Sequence, residues 1–157
     1  MKIKIISIGK TDEKLLEQLI EKYTKRLGHY IKFEFLIIPD IKNRKNLSIA
    51  LQKEKEGVLL LNAIQKMDVV VLLDEKGKEY TSKLFSQFIA KKMLSGCKQL
   101  VFVIGGPYGF SKEVYQRVNQ RISLSKMTFS HQMIRLFFVE QLYRAFTILK
   151  NEPYHHE

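Results

Sequence analysis

The stretch of chain best suited to chemistry is "QLVFVIGGPYGFSKEVYQRV", residues 99–118. A short β-branched and aromatic run is followed by Gly105, Gly106 and Gly109, and a helical pattern opens near Ser111. Strand, glycine turn and helix is the arrangement that binds dinucleotides, but that fingerprint requires the spacing G-x-G-x-x-G. Here the spacing is G-G-x-x-G with a proline inside, so the stretch predicts either a turn around a different ligand or a tight turn with none.

Two other segments resemble this turn in composition. "LLDEKGKEYTS" includes Leu73 and "SLSKMTFSH" includes Leu124, and both are rich in small hydroxyl residues and exposed backbone. None of the three segments carries carboxylates or imidazoles at metal-ligand spacing, and the chain has no G-x-S-x-G elbow or phosphate-binding P-loop. A pocket walled by backbone amides and carbonyls suits a flat heterocycle such as adenine. We therefore predict a heterocyclic ligand and no metal.

The elements that must position these segments alternate along the chain. Strands are predicted at 2–9, 31–39, 68–74, 101–104 and 120–127, and helices at 11–28, 46–64, 81–96, from about 111, and from about 131 to 150. Thr11 or Asp12 is the expected N-cap of the first helix, whose apolar residues are Leu15, Leu16, Leu19, Ile20, Tyr23 and Leu27. This order predicts an α/β fold with a mostly parallel sheet, helices on both faces, and ligands at the carboxyl ends of the strands.

Composition limits the class of protein. The 157 residues are 45% hydrophobic, which suits one domain with a substantial core. Cys97 is the single cysteine, so an intramolecular disulfide is excluded and a reducing cytoplasmic location is expected. No window approaches the roughly 20 apolar residues of a membrane helix, and the apolar run near the start is too short for a secretion signal. We expect no membrane partner.

The charge is unevenly distributed. The formal net charge is +11, and residues 81–157 hold 11 Lys or Arg against 4 acids. No acid lies between Lys83 and Lys112. A regional excess of cations favours a polyanionic partner, most often nucleic acid, over charge kept only for solubility.

Three motifs together carry a family resemblance: "FVIGGPYG", "SLSKMTFSHQMIRLFFVEQLYRA" and the terminal "NEPYHHE". With "GKTDEKLLEQLIEKYTKRL" and "KEKEGVLLL", the whole chain resembles the small bacterial pseudouridine methyltransferases of large-subunit ribosomal RNA, in the SPOUT superfamily. The resemblance implies a single domain over residues 1–157, with roughly residues 100–157 threaded as a trefoil knot, and a homodimer. It also implies S-adenosylmethionine as cofactor and N3 of a pseudouridine in the helix 69 stem-loop of 23S rRNA, on the assembled ribosome, as substrate.

The same resemblance assigns the cofactor contacts to Leu73, Gly105, Leu124, Ser125, Lys126, Met127, Thr128 and Phe129. Under this interpretation Gly105 and Gly106 let the backbone approach the ligand. Lys126 is also a candidate RNA contact or a solvated side chain. One position departs from the family pattern: Ser130 stands where a proline is usual, and its hydroxyl is expected to cap the following helix.

The candidate catalytic residues are Arg144, Tyr154 and His155. Arg144 either forms an i,i+4 salt bridge with Glu140 or binds a phosphate or the uracil edge. Tyr154 is suited to stacking on a splayed base, and His155 to accepting the N3 proton or holding a water that does. The alternative is a frayed and dispensable tail. His131 favours a structural role, and the basic loop 42–45 is either a phosphate contact or a solvated connection.

The final helix carries apolar residues on all sides, which predicts burial against its own sheet and against a partner subunit. A charge at Phe138 is expected to split the dimer or unfold the protein. A central helix within one domain is the alternative. Two rival functions remain beside methyl transfer: a non-catalytic ribosome-binding factor, and a nucleotide-dependent oxidoreductase. The glycine spacing argues against the oxidoreductase.

Overall fold

The computed structural model describes residues 1–42 and 44–156, apart from the side chain of Arg44. Five strands alternate with five helices, which confirms the predicted α/β class. The strands are β1 (Lys2–Ile8), β2 (Lys32–Ile38), β3 (Val69–Glu79), β4 (Gln99–Ile104) and β5 (Gln120–Ser123). The helices are α1 (Lys14–Leu27), α2 (Ile49–Asn62), α3 (Ser82–Leu94), α4 (Lys112–Arg117) and α5 (Met133–Leu149), with a short 3₁₀ turn at Arg44–Asn46 before α2.

All strand pairs are parallel, in the order β2-β1-β4-β3-β5. The central strand β4 is buried on both faces, because its side chains alternate between two core layers. Leu100, Phe102 and Ile104 pack with α1, α3 and α5, whereas Val101 and Val103 pack with α2 and α4. The predicted parallel sheet with helices on both faces is therefore confirmed.

Helix α1 differs from its prediction at its start and on its apolar face. It begins at Lys14, and neither Thr11 nor Asp12 caps it, because both side chains bond to the α5 region instead. Ile20 and Leu27 are buried, but Leu15 remains 71% exposed. The apolar periodicity therefore predicted the helix correctly. It overestimated how much of the apolar face of α1 is buried within the protomer.

Strand β3 runs five residues further than the predicted end at Asp74. It pairs with β5 twice, at Leu73↔Ile122 and again at Lys78↔Ile122, so the residues between the two pairings bulge out of the ladder. A Cβ on Gly77 would lie 2.5 Å from the backbone carbon of Ile122. Only glycine allows the two backbones to approach this closely.

Helix α5 packs between α1 and α3 on one face of the sheet. The Phe138 ring lies 4.8 Å from the Phe102 ring and 6.0 Å from the Phe85 ring, and its side chain is fully buried in the protomer. A charge at Phe138 would therefore be buried inside the protomer, and the central-helix alternative explains most of this burial. The outward face of α5 retains Phe137, which is 39% exposed.

Among the described residues, no helix is long and apolar enough to cross a membrane. In the basic loop 42–45, Asn43 and the side chain of Arg44 lie outside the described residues, so its suggested phosphate contact stays a prediction.

Candidate functional site

A cavity of about 590 Å³ opens where the carboxyl ends of β4 and β5 meet the bulged segment of β3. These strands are neighbours in the sheet, so the segments that follow them meet at one edge. The wall consists of residues 73–76, 104–110, 122–125 and 127–131, together with Lys53, Tyr115 and Ile134. The three segments singled out in the sequence thus enclose one cavity, and its volume is typical of small-molecule sites.

Seven of the eight residues assigned to cofactor contacts line this cavity: Leu73, Gly105, Leu124, Ser125, Met127, Thr128 and Phe129. Lys126 is exposed and lies outside the wall, which favours its solvated or RNA-facing role. His131 lies at the mouth of the same cavity, where the chain turns into α5. The wall thus combines apolar side chains with much exposed backbone. Ligand binding by these residues stays a prediction.

The glycine turn is closed by its own backbone. The Gly109 amide donates to the Gly106 carbonyl oxygen at 3.2 Å, and Gly109 adopts φ +79°, which favours glycine. A Cβ on Gly105 would lie 3.0 Å from the buried Phe110 ring, and one on Gly106 would lie 2.5 Å from a carboxylate oxygen of Glu56. The close neighbours at both glycines therefore include the protein's own side chains, a contact that the sequence interpretation missed.

Tyr115 and Asp74 tie α4 to the end of β3. The phenol of Tyr115 donates to Asp74 Oδ2 at 2.5 Å, and the Lys76 amide donates to Asp74 Oδ1 at 2.7 Å. Burial, together with the carboxylate of Asp74, raises the pKa of Tyr115 to about 12. The phenol is consequently protonated at neutral pH and holds the Asp74 carboxylate in place at the cavity wall.

Serine side chains shape the segment after β5. The Ser123 hydroxyl donates to the Ser125 carbonyl, and Ser125 Oγ accepts from the Met127 amide at 2.9 Å. Ser130 Oγ accepts from the Met133 amide at 3.1 Å, as expected of a capping serine. The regular helix begins at Met133, two residues later than predicted. Ser130 thus stabilises this turn through its hydroxyl.

The three candidate catalytic residues lie together on α5 and the tail. Arg144 Nη2 is 2.5 Å from Glu140 Oε1, and Arg144 Nη1 is 3.3 Å from His155 Nδ1. Tyr154 donates to Glu140 Oε1 at 2.9 Å, and the Arg144 guanidinium lies 4.7 Å from the centre of the Tyr154 ring. The salt bridge to Glu140 is therefore present, and it forms part of a larger cluster.

The tail is docked against the domain. Tyr30 donates a hydrogen bond to Glu152, and the Glu152 amide donates to the Thr147 carbonyl at 2.9 Å. The Tyr23 and Tyr154 hydroxyls are 3.1 Å apart. Burial and these hydrogen bonds raise the pKa of Tyr154 above its usual range. Residues 152–155 are thus held at several points, and the alternative of a frayed end does not describe this structure.

The contact with Arg144 determines the tautomer of His155. A guanidinium can only donate, so Nδ1 of His155 must accept and the ring proton must lie on Nε2. In this arrangement the basic nitrogen of His155 already has a partner. Tyr154, which is protonated, cannot serve as a base either.

The C-terminal cluster and the cavity are separated along α5. The cavity touches Ile134 in the first turn, whereas Arg144 lies ten residues further, about 15 Å along the helix axis. Within one protomer, none of Arg144, Tyr154 and His155 lines the predicted cofactor pocket.

Sequence reasoning missed Asp74, Tyr115 and Glu56 as parts of the site. Glu56 had a detectable signal, since Gln52, Glu56 and Leu60 recur every four residues and all face inward from α2. An acid on the buried face of a helix needs a specific neighbour. The Tyr115–Asp74 contact joins residues 41 positions apart and had no local signal.

The donor set suits an organic cation better than a metal. In residues 1–42 and 44–156, no group of three His, Cys, Asp or Glu side chains is arranged to hold a metal ion. Leu73, Ile104 and Leu124 supply apolar surface for a flat ring, and the charged side chains of the wall are the acids Asp74 and Glu75 and the lysines Lys53 and Lys76, which suit a ligand that carries both signs of charge. This combination fits a nucleoside that carries a positive charge, as S-adenosylmethionine does.

Residues 1–155 match the family model described as "Predicted SPOUT methyltransferase". A protein of Christiangramia forsetii is 67% identical over 99% of both chains. Proteins of Flavobacterium psychrophilum and Flavobacterium johnsoniae are 65% and 63% identical over the full length of both chains. All three relatives are named ribosomal RNA large subunit methyltransferase H.

Proposed function

Because the chain belongs to the SPOUT methyltransferase family, we propose that it methylates large-subunit ribosomal RNA with S-adenosylmethionine as the methyl donor. We propose N3 of a pseudouridine in the helix 69 stem-loop of 23S rRNA, presented by the assembled ribosome, as the target. The observation that carries the proposal is the cavity between the β3 bulge and the ends of β4 and β5, walled in part by the segments that hold the family motifs. The domain is taken to span the whole chain, with the trefoil knot in roughly residues 100–157, and the sheet order is consistent with that fold.

The proposed cofactor residues are the seven that line the cavity, with Lys126 at its edge. When bound, S-adenosylmethionine supplies a sulfonium methyl group that needs no further activation. The chain's part is to hold the donor so that the methyl group faces the attacking nitrogen, which is a contribution from proximity and orientation. Asp74, held in place by Tyr115, lies in the cavity wall near Glu75 and is available to face the positive charge of the donor, while Lys53 and Lys76 of the same wall suit its carboxylate.

The proposed catalytic residues are Arg144, Tyr154 and His155. The N3 position must lose a proton, and negative charge then develops on the uracil oxygens. Arg144, as a fixed cation, stabilises that charge, and Tyr154 positions the pseudouridine ring. When Arg144 turns toward the RNA, Nδ1 of His155 becomes available to accept the proton. The 3.3 Å contact between Arg144 and His155 supports a common role for the two side chains in this step.

A homodimer would reconcile the 15 Å separation with a single active site. The outward face of α5 carries Phe137 near its start and Arg144 near its end. In a two-fold interface the same surface meets its copy, so two such helices crossing in opposite directions place the Arg144 end of one near the cavity end of the other. Each site would then combine one protomer's cavity with its partner's tail.

Exposed apolar residues support this interface. The rings of Phe129 and Phe137 are tilted against each other with centres 5.0 Å apart, and Met127, two residues before Phe129, is 77% exposed. Leu15 and Leu19 of the neighbouring α1 are exposed as well. Apolar surface of this extent at one end of α5 is typical of a protein interface.

The RNA surface is proposed on the basic C-terminal half. Two cations of this half form contacts within the protomer: Arg135 is fully buried, and Arg144 pairs with Glu140. Lys83, Lys91, Lys92 and Lys98, on α3 and just after it, carry positive charge on the face of the sheet that also holds α5 and the tail. Cations near the proposed catalytic cluster suit phosphate contacts that position RNA.

Two measurements test the proposal. Isothermal titration calorimetry with S-adenosylmethionine should show binding, and NADH, as the control ligand, should show none. Transfer of a labelled methyl group should be detected on 70S ribosomes that carry the pseudouridine and should be lost on ribosomes that carry uridine at that position. Binding of RNA without any binding of S-adenosylmethionine would favour the non-catalytic ribosome-binding factor.

A further inference from the structure

Glu56 is a carboxylate buried beneath the glycine turn. It lies on α2, is 3% exposed, and accepts a hydrogen bond at Oε1 from Gln52 Nε2 at 2.8 Å. Gln52 is itself 4% exposed. An acid is rarely placed in a core position unless its charge or its hydrogen bonds are used there, because burial of a carboxylate is costly.

Helix α2 is pressed against both ends of the 105–111 segment. At one end a Cβ on Gly106 would lie 2.5 Å from Glu56 Oε2. At the other end a Cβ on Gly57 would lie 2.4 Å from the hydroxyl of Ser111, the residue that caps α4. Two consecutive residues of α2, Glu56 and Gly57, therefore lie in close contact with the turn, one near each of its ends.

From this geometry we infer that Glu56 is a positioning residue for cofactor binding: its buried carboxylate supports the Gly105–Gly106 backbone where that backbone lines the cavity. The inference deepens the proposed function and rests on it, since it concerns the same pocket. It also accounts for the "KEKEG" motif, whose acid and glycine are the two residues in contact with the turn. Glu56 acts through the loop and is not assigned a contact with the reacting atoms.

A double-mutant cycle between Gly106 and Glu56 tests the inference. Gly106 does not have the left-handed backbone that would itself strain an alanine, so G106A should act mainly through its contact with Glu56. The probe is S-adenosylhomocysteine, titrated calorimetrically. We expect G106A to weaken its binding about tenfold and E56A about fivefold, whereas G106A/E56A should bind no more weakly than G106A alone.

Three further measurements separate positioning from general destabilisation. E56Q keeps the volume of the side chain and should bind S-adenosylhomocysteine at least about threefold more tightly than E56A. In methyl-transfer assays, E56A should raise the KM for S-adenosylmethionine and leave kcat within about twofold. E54A, an exposed acid on the same helix, is the matched control and should match the wild type.

The role of Glu56 would be overturned if the losses of S-adenosylhomocysteine affinity in G106A and E56A multiply in the double variant. It would also be overturned if E56Q binds the probe as weakly as E56A. Thermal unfolding of each apo variant checks that the binding measurements are made on folded protein. A wild type that does not bind the probe would instead refute the proposed function, so the two failures are distinguishable.

Discussion

Nη2 of Arg135 donates to the carbonyl oxygen of Ile8 at 2.6 Å, across 127 positions of the chain. Nη1 of the same side chain donates to Thr11 Oγ1 at 3.1 Å, and the whole residue is buried. Burial lowers the pKa of this guanidinium, and Asp40 and Asp12 oppose that shift, so the group remains charged at neutral pH. Arg135 thereby fastens the first turn of α5, next to the cavity, to the carboxyl end of β1.

Replacing Arg135 with methionine should lower the free energy of unfolding by about 2 kcal/mol, because the Ile8 carbonyl and the Thr11 hydroxyl lose a buried donor. Urea denaturation measures the change. Lys150→Met, an exposed cation at the end of α5, is the control and should have almost no effect. A fully stable R135M variant would show that packing alone holds the start of α5.

The Tyr115–Asp74 contact should weaken at alkaline pH. The folded-state pKa of Tyr115 is raised to about 12 from an ordinary value near 10, so its contribution to stability is complete below about pH 10 and is lost as the pH rises through 12. Tyr115→Phe should therefore cost about 1 kcal/mol at pH 8, a value kept small by partial exposure, and progressively less above pH 10. In an absorbance titration, the Y115F variant should show one fewer tyrosine that ionises at high pH than the wild type. Tyr108→Phe, at the same cavity, is the control, and an unchanged titration in Y115F would contradict the assignment.

Phe137 and Phe138 should respond differently to a charged substitution. Phe137→Asp should convert a wild-type dimer into a folded monomer, because Phe137 faces outward, whereas Phe138→Asp should unfold the protein, because its ring is packed between Phe85 and Phe102. Sedimentation velocity and circular dichroism on both variants distinguish the two outcomes. A wild type that sediments as a monomer at micromolar concentration would refute the dimer.

If the active site is shared between protomers, two inactive variants should complement each other. Gly105→Val should distort the cavity wall, since its side chain would collide with the buried Phe110 ring of that wall, and Arg144→Ala should disable the C-terminal cluster. Each homodimer should lose at least about 100-fold in methyl transfer. A co-refolded mixture should recover roughly a quarter of wild-type activity, because half of the dimers are mixed and each has one intact site. Recovery no greater than the sum of the two variants would place both clusters in one protomer's site.

Binding to ribosomes should weaken steeply as salt rises, because Lys and Arg contacts to phosphate release counterions. Lys91→Ala and Lys98→Ala should each reduce the slope of log K against log salt by about one. Lys22→Ala, an exposed lysine on α1, provides the comparison and should leave the slope unchanged. Filter binding at several salt concentrations gives the slopes, and a flat profile for the wild type would remove the basic half from the docking surface.

The sequence was informative wherever a signal was local or periodic. Strand–helix alternation gave the parallel sheet, and Ser111 and Ser130 bond to the backbone as cap residues should. Prediction failed where a distant residue competed for the same side chain. Thr11 is a good cap by type, but it accepts from Arg135 instead. Helix α5 is apolar on all sides because α1, α3 and the sheet surround it, and periodicity cannot distinguish such neighbours from a partner subunit.

The pairing of β1 with β4, which are far apart in the sequence, affects how the protein folds. Strand β1 pairs with β4 from Lys2↔Gln99 onward, and β3 pairs with β5 across a gap of about fifty residues. During synthesis, the apolar strand β1, with Ile3, Ile5 and Ile6, therefore has no β4 to pair with until about two thirds of the chain has been made. Such distant pairings impose a large loop-closure entropy, so refolding should take milliseconds to seconds rather than microseconds. The nascent first half should accordingly be the stage at which the protein most depends on chaperones.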